Sequence, residues 1–182
     1  NEQKAKPFLD KATEAHNASQ QLLDTLESYK KQIIAGAGGI DTTTGDIVQR
    51  DNIDVATRMF VEEGAGVKRG QDLQKRIMAV RDKLMELSDK AVKITLDAKT
   101  PKVHGEEGAK WEYLTFSHVP ATAAVTILSK FENDVQSSEG AVVEYLKGKV
   151  GKTDFKFTDL TAKIIAPSSY VLSGPEYKAD IF

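Results

Sequence analysis

Three segments of the chain repeat apolar residues at alternating intervals of four and three, the spacing of a helix that packs along one seam. The first seam runs from Phe8 to Ile33, the second from Leu73 to Ala91 and the third from Ala121 to Tyr145. Further apolar residues beside each seam widen it into the broader stripe of a globular bundle. The pattern therefore predicts three long amphipathic helices.

Proline and glycine positions predict where these helices begin and end. Pro7 and Pro120 stand at the predicted first turns of the first and third helices, where a missing N–H does no harm. Glycines cluster at 36–39 and at 64–70, and we expect both clusters to be joints at which the bundle flexes.

Shorter elements are predicted between the long helices. A fourth helix is expected around Asp54–Glu62, with Asp54 as its cap. Residues 97–119 are predicted to be irregular. Near their end, aromatic residues alternate as in a short strand: Trp111, Tyr113 and Phe116.

The pattern changes in the last thirty residues, where aromatic and β-branched residues alternate with polar ones. Helices first and strands last predict a mainly α protein with two parts. Residues 1–153 would form a helical bundle of three long amphipathic helices plus short helices. Residues 154–182 would form a linker and the first strands of a truncated β-sandwich-like domain. Because the chain starts at Asn1 and stops within a predicted strand, we expect it to be cut from a longer polypeptide.

Composition excludes more chemistry than it indicates. The 182 residues contain no cysteine, which excludes a disulfide scaffold, thiolate catalysis, a Cys-ligated zinc site and an iron–sulfur cluster. A net charge of -2 favours neither nucleic acid nor an anionic membrane as a partner. That total conceals a charge of +5 in residues 66–102 between -4 in 36–65 and -3 in 103–150, which favours electrostatic matching within the bundle.

The glycine-containing strings do not complete a nucleotide-binding motif. Residues 148–153 contain Gly-Lys-Thr, but a phosphate-binding loop requires glycine where Leu146 stands, and a strand before it. We predict a helix-terminating linker there. The glycines at 36–39 also lack a preceding strand and the full dinucleotide-binding spacing.

Four aspartates follow the first predicted helix and offer carboxylates for a cation: Asp41, Asp46, Asp51 and Asp54. Their spacing does not match the EF-hand calcium loop, and no bidentate glutamate follows at the required position. Turn and cap roles explain all four, so we predict neither a metal nor a cofactor.

The three histidines, His16, His104 and His118, are scattered over different predicted elements and form no metal-binding pair. Because the G-x-S-x-G motif is absent, a hydrolytic site would have to assemble from distant residues. Glu106 and Glu107 offer paired carboxylates for acid–base chemistry, although a solvated loop is the simpler interpretation. We therefore predict no enzymatic activity and no catalytic residues.

The densest aromatic cluster comprises Trp111, Tyr113, Phe116 and Pro120. It has two interpretations, a partner-binding patch or a packing plug at the end of the bundle. We favour the plug, because large aromatic residues are mostly buried.

Two stretches are more specific than helical periodicity. The first is Trp111–Ala121, W-E-Y-L-T-F-S-H-V-P-A, which leads into Leu128–Val135. The second is Ile164–Gly174, followed by Tyr177–Phe182. Together with the order of helices, they resemble the N-terminal periplasmic region of the GldM/PorM family, motor proteins of gliding motility and type IX secretion in Bacteroidetes. These motifs are structural, so they carry over no site residue.

The resemblance implies a homodimeric, single-pass inner-membrane protein of a Gram-negative bacterium, of which this chain is a periplasmic part. A transmembrane helix outside the chain would contact GldL-type inner-membrane subunits. Further β domains would reach GldK- and GldN-type proteins at the outer membrane. The shaft would transmit conformational change driven by the proton-motive force, a task suited to a stiff helical rod. No nucleic acid or small-molecule substrate is expected. The alternative is a non-catalytic periplasmic adaptor or ligand-binding module that uses the aromatic cluster as its surface.

Overall fold

A computed structural model of the protein describes residues 2–153, 164–165 and 180–181. Five helices follow one another along the chain: α1 (Glu2–Gly36), α2 (Asp54–Phe60), α3 (Ala65–Leu87), α4 (Trp111–Phe116) and α5 (Ala121–Thr153). Two short strands, β1 (Ile164–Ile165) and β2 (Asp180–Ile181), pair in antiparallel orientation. The mainly α class is therefore confirmed. The other residues predicted to form β structure lie outside the described residues, so the β-sandwich-like domain and the division after residue 153 stay predictions.

Helices α1 and α5 pack against each other in opposite directions. His16 Nδ1 lies 2.8 Å from Glu139 Oε1, and Lys30 Nζ lies 2.7 Å from Glu132 Oε2. Residue numbers thus rise along one helix as they fall along the other. The start of α1 and the end of α5 share one end of the bundle, which we call the base. The opposite end, which we call the tip, consists of the loop after α1, residues 37–53, and the first residue of α2, Asp54.

The predicted seams supply the core of this bundle. Each of the three long helices contributes buried aliphatic side chains: Leu22, Leu26 and Ile33 from α1, Leu73, Ile77 and Leu84 from α3, and Leu128, Val135 and Val142 from α5. Fully burying one such side chain contributes about 1.5–3 kcal/mol. The seams face one another within a single chain, so the 4,3 pattern encodes an intramolecular bundle.

The long helices extend beyond their predicted limits. Helix α1 begins at Glu2, so Pro7 lies inside it and not at its first turn. Helix α5 continues to Thr153, so the predicted helix-terminating linker at 148–153 is wrong. A helical glycine costs about 1 kcal/mol, which is too little to end a helix whose preceding turn buries Leu146 in the core.

The start of α3 corrects the predicted joint at 64–70. Residues 61–64 separate α2 from α3, and of the three glycines in this cluster only Gly64, with a φ of 86°, lies between the helices. Gly66 and Gly70 lie inside α3. A Cβ added at Gly70 would overlap the carbonyl oxygen of Phe60. These two glycines therefore let other elements pack directly on the α3 backbone, a role that the prediction of a flexible joint missed.

The end of α3 also differs from the prediction. The helix stops at Leu87 and does not reach Ala91. Asp89 and Lys90 take positive φ values of 53° and 58°, which turn the chain out of the helix. The predicted seam includes Ala91 because Ala91 follows Leu87 by four residues. The structure leaves Ala91 exposed, outside the helix.

An irregular segment, residues 91–98, lies between α3 and α5. Gln74 Nε2 on α3 donates a hydrogen bond to the Ala98 carbonyl oxygen at 2.8 Å. On α5, Ser138 Oγ accepts the Leu96 N–H at 3.3 Å. Leu96 and Ala98 are buried, so this segment fills space that the two helices leave open. The sequence pattern did not indicate this role.

Helix α2 confirms the predicted short helix but not its cap. Asp54 is the first helical residue and caps nothing with its side chain. Asn52 Oδ1 instead accepts the N–H groups of Asp54 at 2.9 Å and Val55 at 3.3 Å. Asparagine and aspartate cap equally well, and the tight turn at residues 49–52 brings Asn52 into position.

Substituting Gly70→Ala should destabilise the bundle, because the added methyl group would overlap Phe60 O and lie 2.6 Å from Glu112 Cβ. Overpacking of this kind costs about 1–3 kcal/mol. Urea unfolding followed by circular dichroism measures the change.

Gly140→Ala is the matched control, because nothing lies within 4 Å of a Cβ added at that helical glycine. It should leave stability unchanged or raise it by up to about 1 kcal/mol. Equal effects of the two substitutions would contradict the close packing at Gly70.

Candidate functional site

The histidines do not converge on a common centre in the described part of the chain. His16 pairs with Glu139 between α1 and α5. His104 lies in the exposed loop before α4, with its Nδ1 atom 3.5 Å from Glu107 Oε1. Both residues line a shallow concavity of about 610 Å³ together with Glu106. His104 and Glu107 are largely exposed, as the solvated-loop interpretation expects.

In the part of the chain that the structure describes, the contact between Ser117 and His118 is the one that resembles a nucleophile and its base. Ser117 Oγ lies 2.9 Å from His118 Nδ1. The two residues are consecutive, and His118 has a positive φ of 54°. Its N–H donates to Thr57 Oγ1 at 2.9 Å. The contact therefore shapes the turn between α4 and α5, and the absence of catalytic residues stays a prediction.

The tip aspartates have local roles. Asp41 Oδ1 accepts the N–H of Thr43 at 2.7 Å and that of the next residue at 3.2 Å. These hydrogen bonds lower the pKa of Asp41 below its ordinary value. Arg50 lies 4.0 Å from Asp46 and 3.8 Å from Asp51. Within the described residues, no group of three or more histidine, aspartate or glutamate side chains is arranged to hold a metal ion.

The predicted aromatic strand is a helix. Helix α4 buries Trp111, Glu112 and Phe116, whereas Tyr113 is 44% exposed. At 3.6 residues per turn, the three buried positions occupy about 140° of the helix circumference. They therefore form one helical face. The alternation that predicted a strand counted Tyr113, which is the exposed member of the cluster.

Five aromatic rings form a continuous chain through the bundle near the tip, which we call the aromatic chain. Tyr29 and Phe60 lie edge to face at 5.3 Å, and Phe60 stacks on Phe116 at 4.3 Å. Trp111 then lies 5.7 Å from Phe116 and 5.9 Å from Phe131. These rings come from α1, α2, α4 and α5. The packing-plug interpretation of the cluster is confirmed for Trp111 and Phe116.

Sequence reasoning missed the buried carboxyl group beside this chain. Glu112 is 3% exposed, and its Oε1 atom accepts a hydrogen bond from Gln71 Nε2 at 3.1 Å. Its Cβ packs against the Gly70 backbone. A glutamate next to Trp111 in a short element looks like a surface residue. The signal in the sequence that could have revealed it is Gly70, four residues after Gly66, because a helical glycine lets another element approach the backbone closely.

A partly buried ion pair joins the two longest helices. Lys30 Nζ lies 2.7 Å from Glu132 Oε2 and 2.8 Å from Glu27 Oε2. The side chains of Lys30 and Glu132 are 18% and 16% exposed. Burial alone would lower the pKa of Lys30, but its hydrogen bonds to Glu132 and Glu27 outweigh burial and raise it. The ammonium group therefore stays charged, and the pair fixes the register of α1 on α5.

The fold and its contacts can now be compared with known proteins. The sequence matches the family model described as the GldM N-terminal domain over residues 1–149. The chain belongs to the GldM family. The matched residues include α1 to α4 and almost all of α5, so the family domain and the bundle coincide. A search of curated proteins found no match.

Membership gives the bundle a biological setting. GldM proteins are membrane-anchored motor components of gliding and type IX secretion, where they work in a complex with other subunits. The family is structural and is not known for enzymatic activity. Among the described residues, no helix is both long and apolar enough to cross a membrane.

Removing a ring from the aromatic chain should destabilise the GldM bundle. Phe116 is fully buried, so Phe116→Ala should cost about 3–5 kcal/mol. Phe116→Leu keeps more volume and should cost about 1–2 kcal/mol, which allows a measurement if the alanine variant does not fold. Trp111, the single tryptophan, is 3% exposed and reports unfolding by its fluorescence.

The exposed neighbour Tyr113 provides the control. Tyr113→Ala should change stability by less than about 1 kcal/mol. If it proved as costly as Phe116→Ala, the assignment of Phe116 to the plug and Tyr113 to the surface would be wrong.

Neutralising Glu132 should weaken the contact between α1 and α5. Glu132→Gln removes one charge from the partly buried pair and should cost about 1.5–3 kcal/mol. Glu144→Gln is the matched control on the same helix, because among the described residues Glu144 forms an ion pair only with Lys147, and both side chains are 75% exposed. That change should stay within about 0.5 kcal/mol. Urea unfolding measures both, and equal effects would show that Glu132 does not fix the register.

Proposed function

We propose that this chain is part of the periplasmic shaft of a single-pass inner-membrane motor protein in the type IX secretion and gliding machinery. It passes conformational change, driven by the proton-motive force, toward partners at the outer membrane. The observation that carries the proposal is the match to the GldM N-terminal domain over residues 1–149. Homologous domains share a fold, so we expect this bundle to have the same place in its motor protein as other domains of the family.

Contacts at the base of the bundle support a role in which the bundle moves as one rigid body. Asp89 Oδ1 lies 3.5 Å from Lys11 Nζ on α1, and Tyr145 on α5 donates a hydrogen bond to Asp89 Oδ2 at 3.1 Å. The hydrogen bond from Tyr145 and the charge of Lys11 lower the pKa of Asp89. One carboxylate thus ties the beginning of α1 and the end of α5 together.

This arrangement differs from that of a rod that carries a displacement from one end to the other. A displacement that enters at α1 leaves through the residues after α5, at the same end of the bundle. The bundle then moves as one rigid body attached at its base. The glycines at 36–39 lie at the tip, outside this path, and Gly38 and Gly39 end α1 with positive φ values of 91° and 84°. Bending there would not change the distance between the chain's entry and exit.

The proposal includes the partners that the family implies. GldL-type subunits would be contacted through a transmembrane helix outside this chain, and GldK- and GldN-type proteins through further β domains. We also propose a homodimer, for which the support is the family alone. The apolar seams give the dimer no further support, because they are buried within one chain, as Leu26, Ile77 and Leu128 illustrate. Burial of Trp111 and Phe116 leaves Tyr113 as the exposed aromatic residue of the cluster, which weakens the adaptor alternative.

Excising the bundle from the full-length protein tests this function. Residues 12–144 are replaced by a flexible linker of about six residues. Packed helices lie about 8–10 Å apart and each extended residue spans about 3.5 Å, so this linker joins the two helix ends with slack. We expect the shortened protein to reach the membrane and to copurify with its inner-membrane subunit. Secretion and gliding should be lost, since the rigid body that carries the displacement is gone.

The control carries the same linker between His104 and Gly105, in an exposed loop, and keeps the bundle intact. It should secrete and glide normally. Secretion at the wild-type level by the shortened protein would contradict the proposed role of this domain in transmission.

A further inference from the structure

The tip exposes aliphatic side chains close together. Ile40 is 47% exposed, Val48 55% and Ile53 41%. Large aliphatic residues exposed singly need no explanation, but a group of them within one loop often marks an interaction surface. Ile40 lies directly opposite Ile47 in an antiparallel bridge, and Ile47, Val48 and Ile53 line one open concavity of about 570 Å³.

The loop that carries these side chains is held by its own backbone. The Asp41 N–H donates to the Asp46 carbonyl at 2.8 Å, and the Val48 N–H donates to the Gly39 carbonyl at 3.0 Å. The Asn52 carbonyl accepts the N–H of the first α5 residue at 2.9 Å. Because the loop is ordered before any partner arrives, binding there costs little conformational entropy.

The same concavity is acidic. Its lining contains four aspartates and a single arginine: Asp41, Asp46, Asp51, Asp54 and Arg50. Arg50 is 65% exposed and makes only long contacts with Asp46 and Asp51. Three negative charges of the lining are therefore left uncompensated in a concavity that also exposes Val48 and Ile53.

In the described residues the basic side chains of α3 form no ion pair with these aspartates, so the expected electrostatic matching within the bundle does not extend to the tip. Arg76 pairs with Asp72 of its own helix at 2.6 Å. Lys83 pairs with Glu14 on α1 at 2.5 Å. In the part of the chain that the structure describes, the tip aspartates form ion pairs only with Arg50.

We propose that the tip binds a protein segment in which lysine or arginine side chains alternate with aliphatic ones. The aliphatic groups would cover Val48 and Ile53, while the cations would meet the uncompensated aspartates. A symmetric contact between the tips of two copies is disfavoured, because it would bring like charges together. The proposal is independent of the motor function, and it can fail while that function stands.

Two synthetic hexapeptides with blocked termini serve as probes, Gly-Lys-Leu-Lys-Leu-Gly and Gly-Glu-Leu-Glu-Leu-Gly. Each is titrated into the isotopically labelled whole chain and followed by amide NMR. The basic peptide should shift resonances within residues 39–54 and should bind several-fold more weakly when salt is raised from 50 to 300 mM. The acidic peptide should not bind. Equal binding of both peptides, or shifts located away from the tip, would overturn the proposal.

The apolar contribution is tested with a double variant, Val48→Asn with Ile53→Asn. Both side chains are exposed, so the fold should be retained, and affinity for the basic peptide should fall at least about tenfold. Val103→Asn, at a position 41% exposed in another loop, should leave affinity unchanged. Light scattering completes the test: self-association that the double variant abolishes would assign the tip to a second copy and would overturn the proposal.

Discussion

The antiparallel packing of α1 on α5 is the constraint on which the rest of this structure depends. It places the beginning of α1 and the end of α5 at the base, and leaves residues 37–54 at the tip. Apolar burial drives this contact, but apolar seams alone permit slippage by a turn. The Lys30–Glu132 pair prevents it, because a shifted register would leave two partly buried charges without each other.

The tip end of the bundle is stabilised by tertiary contacts and not by its short helices themselves. Helices of seven and six residues, such as α2 and α4, are not stable in isolation. They persist because Phe60 and Phe116 belong to the aromatic chain that also includes rings of α1 and α5. The α3 backbone accepts both elements because Gly66 and Gly70 carry no side chain. Ring stacking and close backbone approach therefore act together.

The sequence predicted the features that follow from local periodicity. The 4,3 spacing identified all three long helices and most of their buried residues, because a helix places those positions on one face. It did not identify α4 or the buried Glu112, since each depends on neighbours distant in sequence. The cap at Asn52 was missed for a local reason, because helical periodicity does not indicate the turn at residues 49–52 that positions it. Charge counting was equally incomplete. It found the acidic and basic segments, but the fold decides which side chains form ion pairs. Lys83, for example, pairs with Glu14 on α1 and not with an aspartate of the tip.

The geometry links the two proposals without making either depend on the other. A helix of 35 residues, the length of α1, spans about 50 Å at 1.5 Å per residue. The tip is thus the described part of the bundle farthest from the point where the chain enters and leaves. For a rigid body attached at its base, rotation displaces the tip more than any other part. A partner held there would convert a small change at the base into a large displacement, and equally would restrain the base from moving.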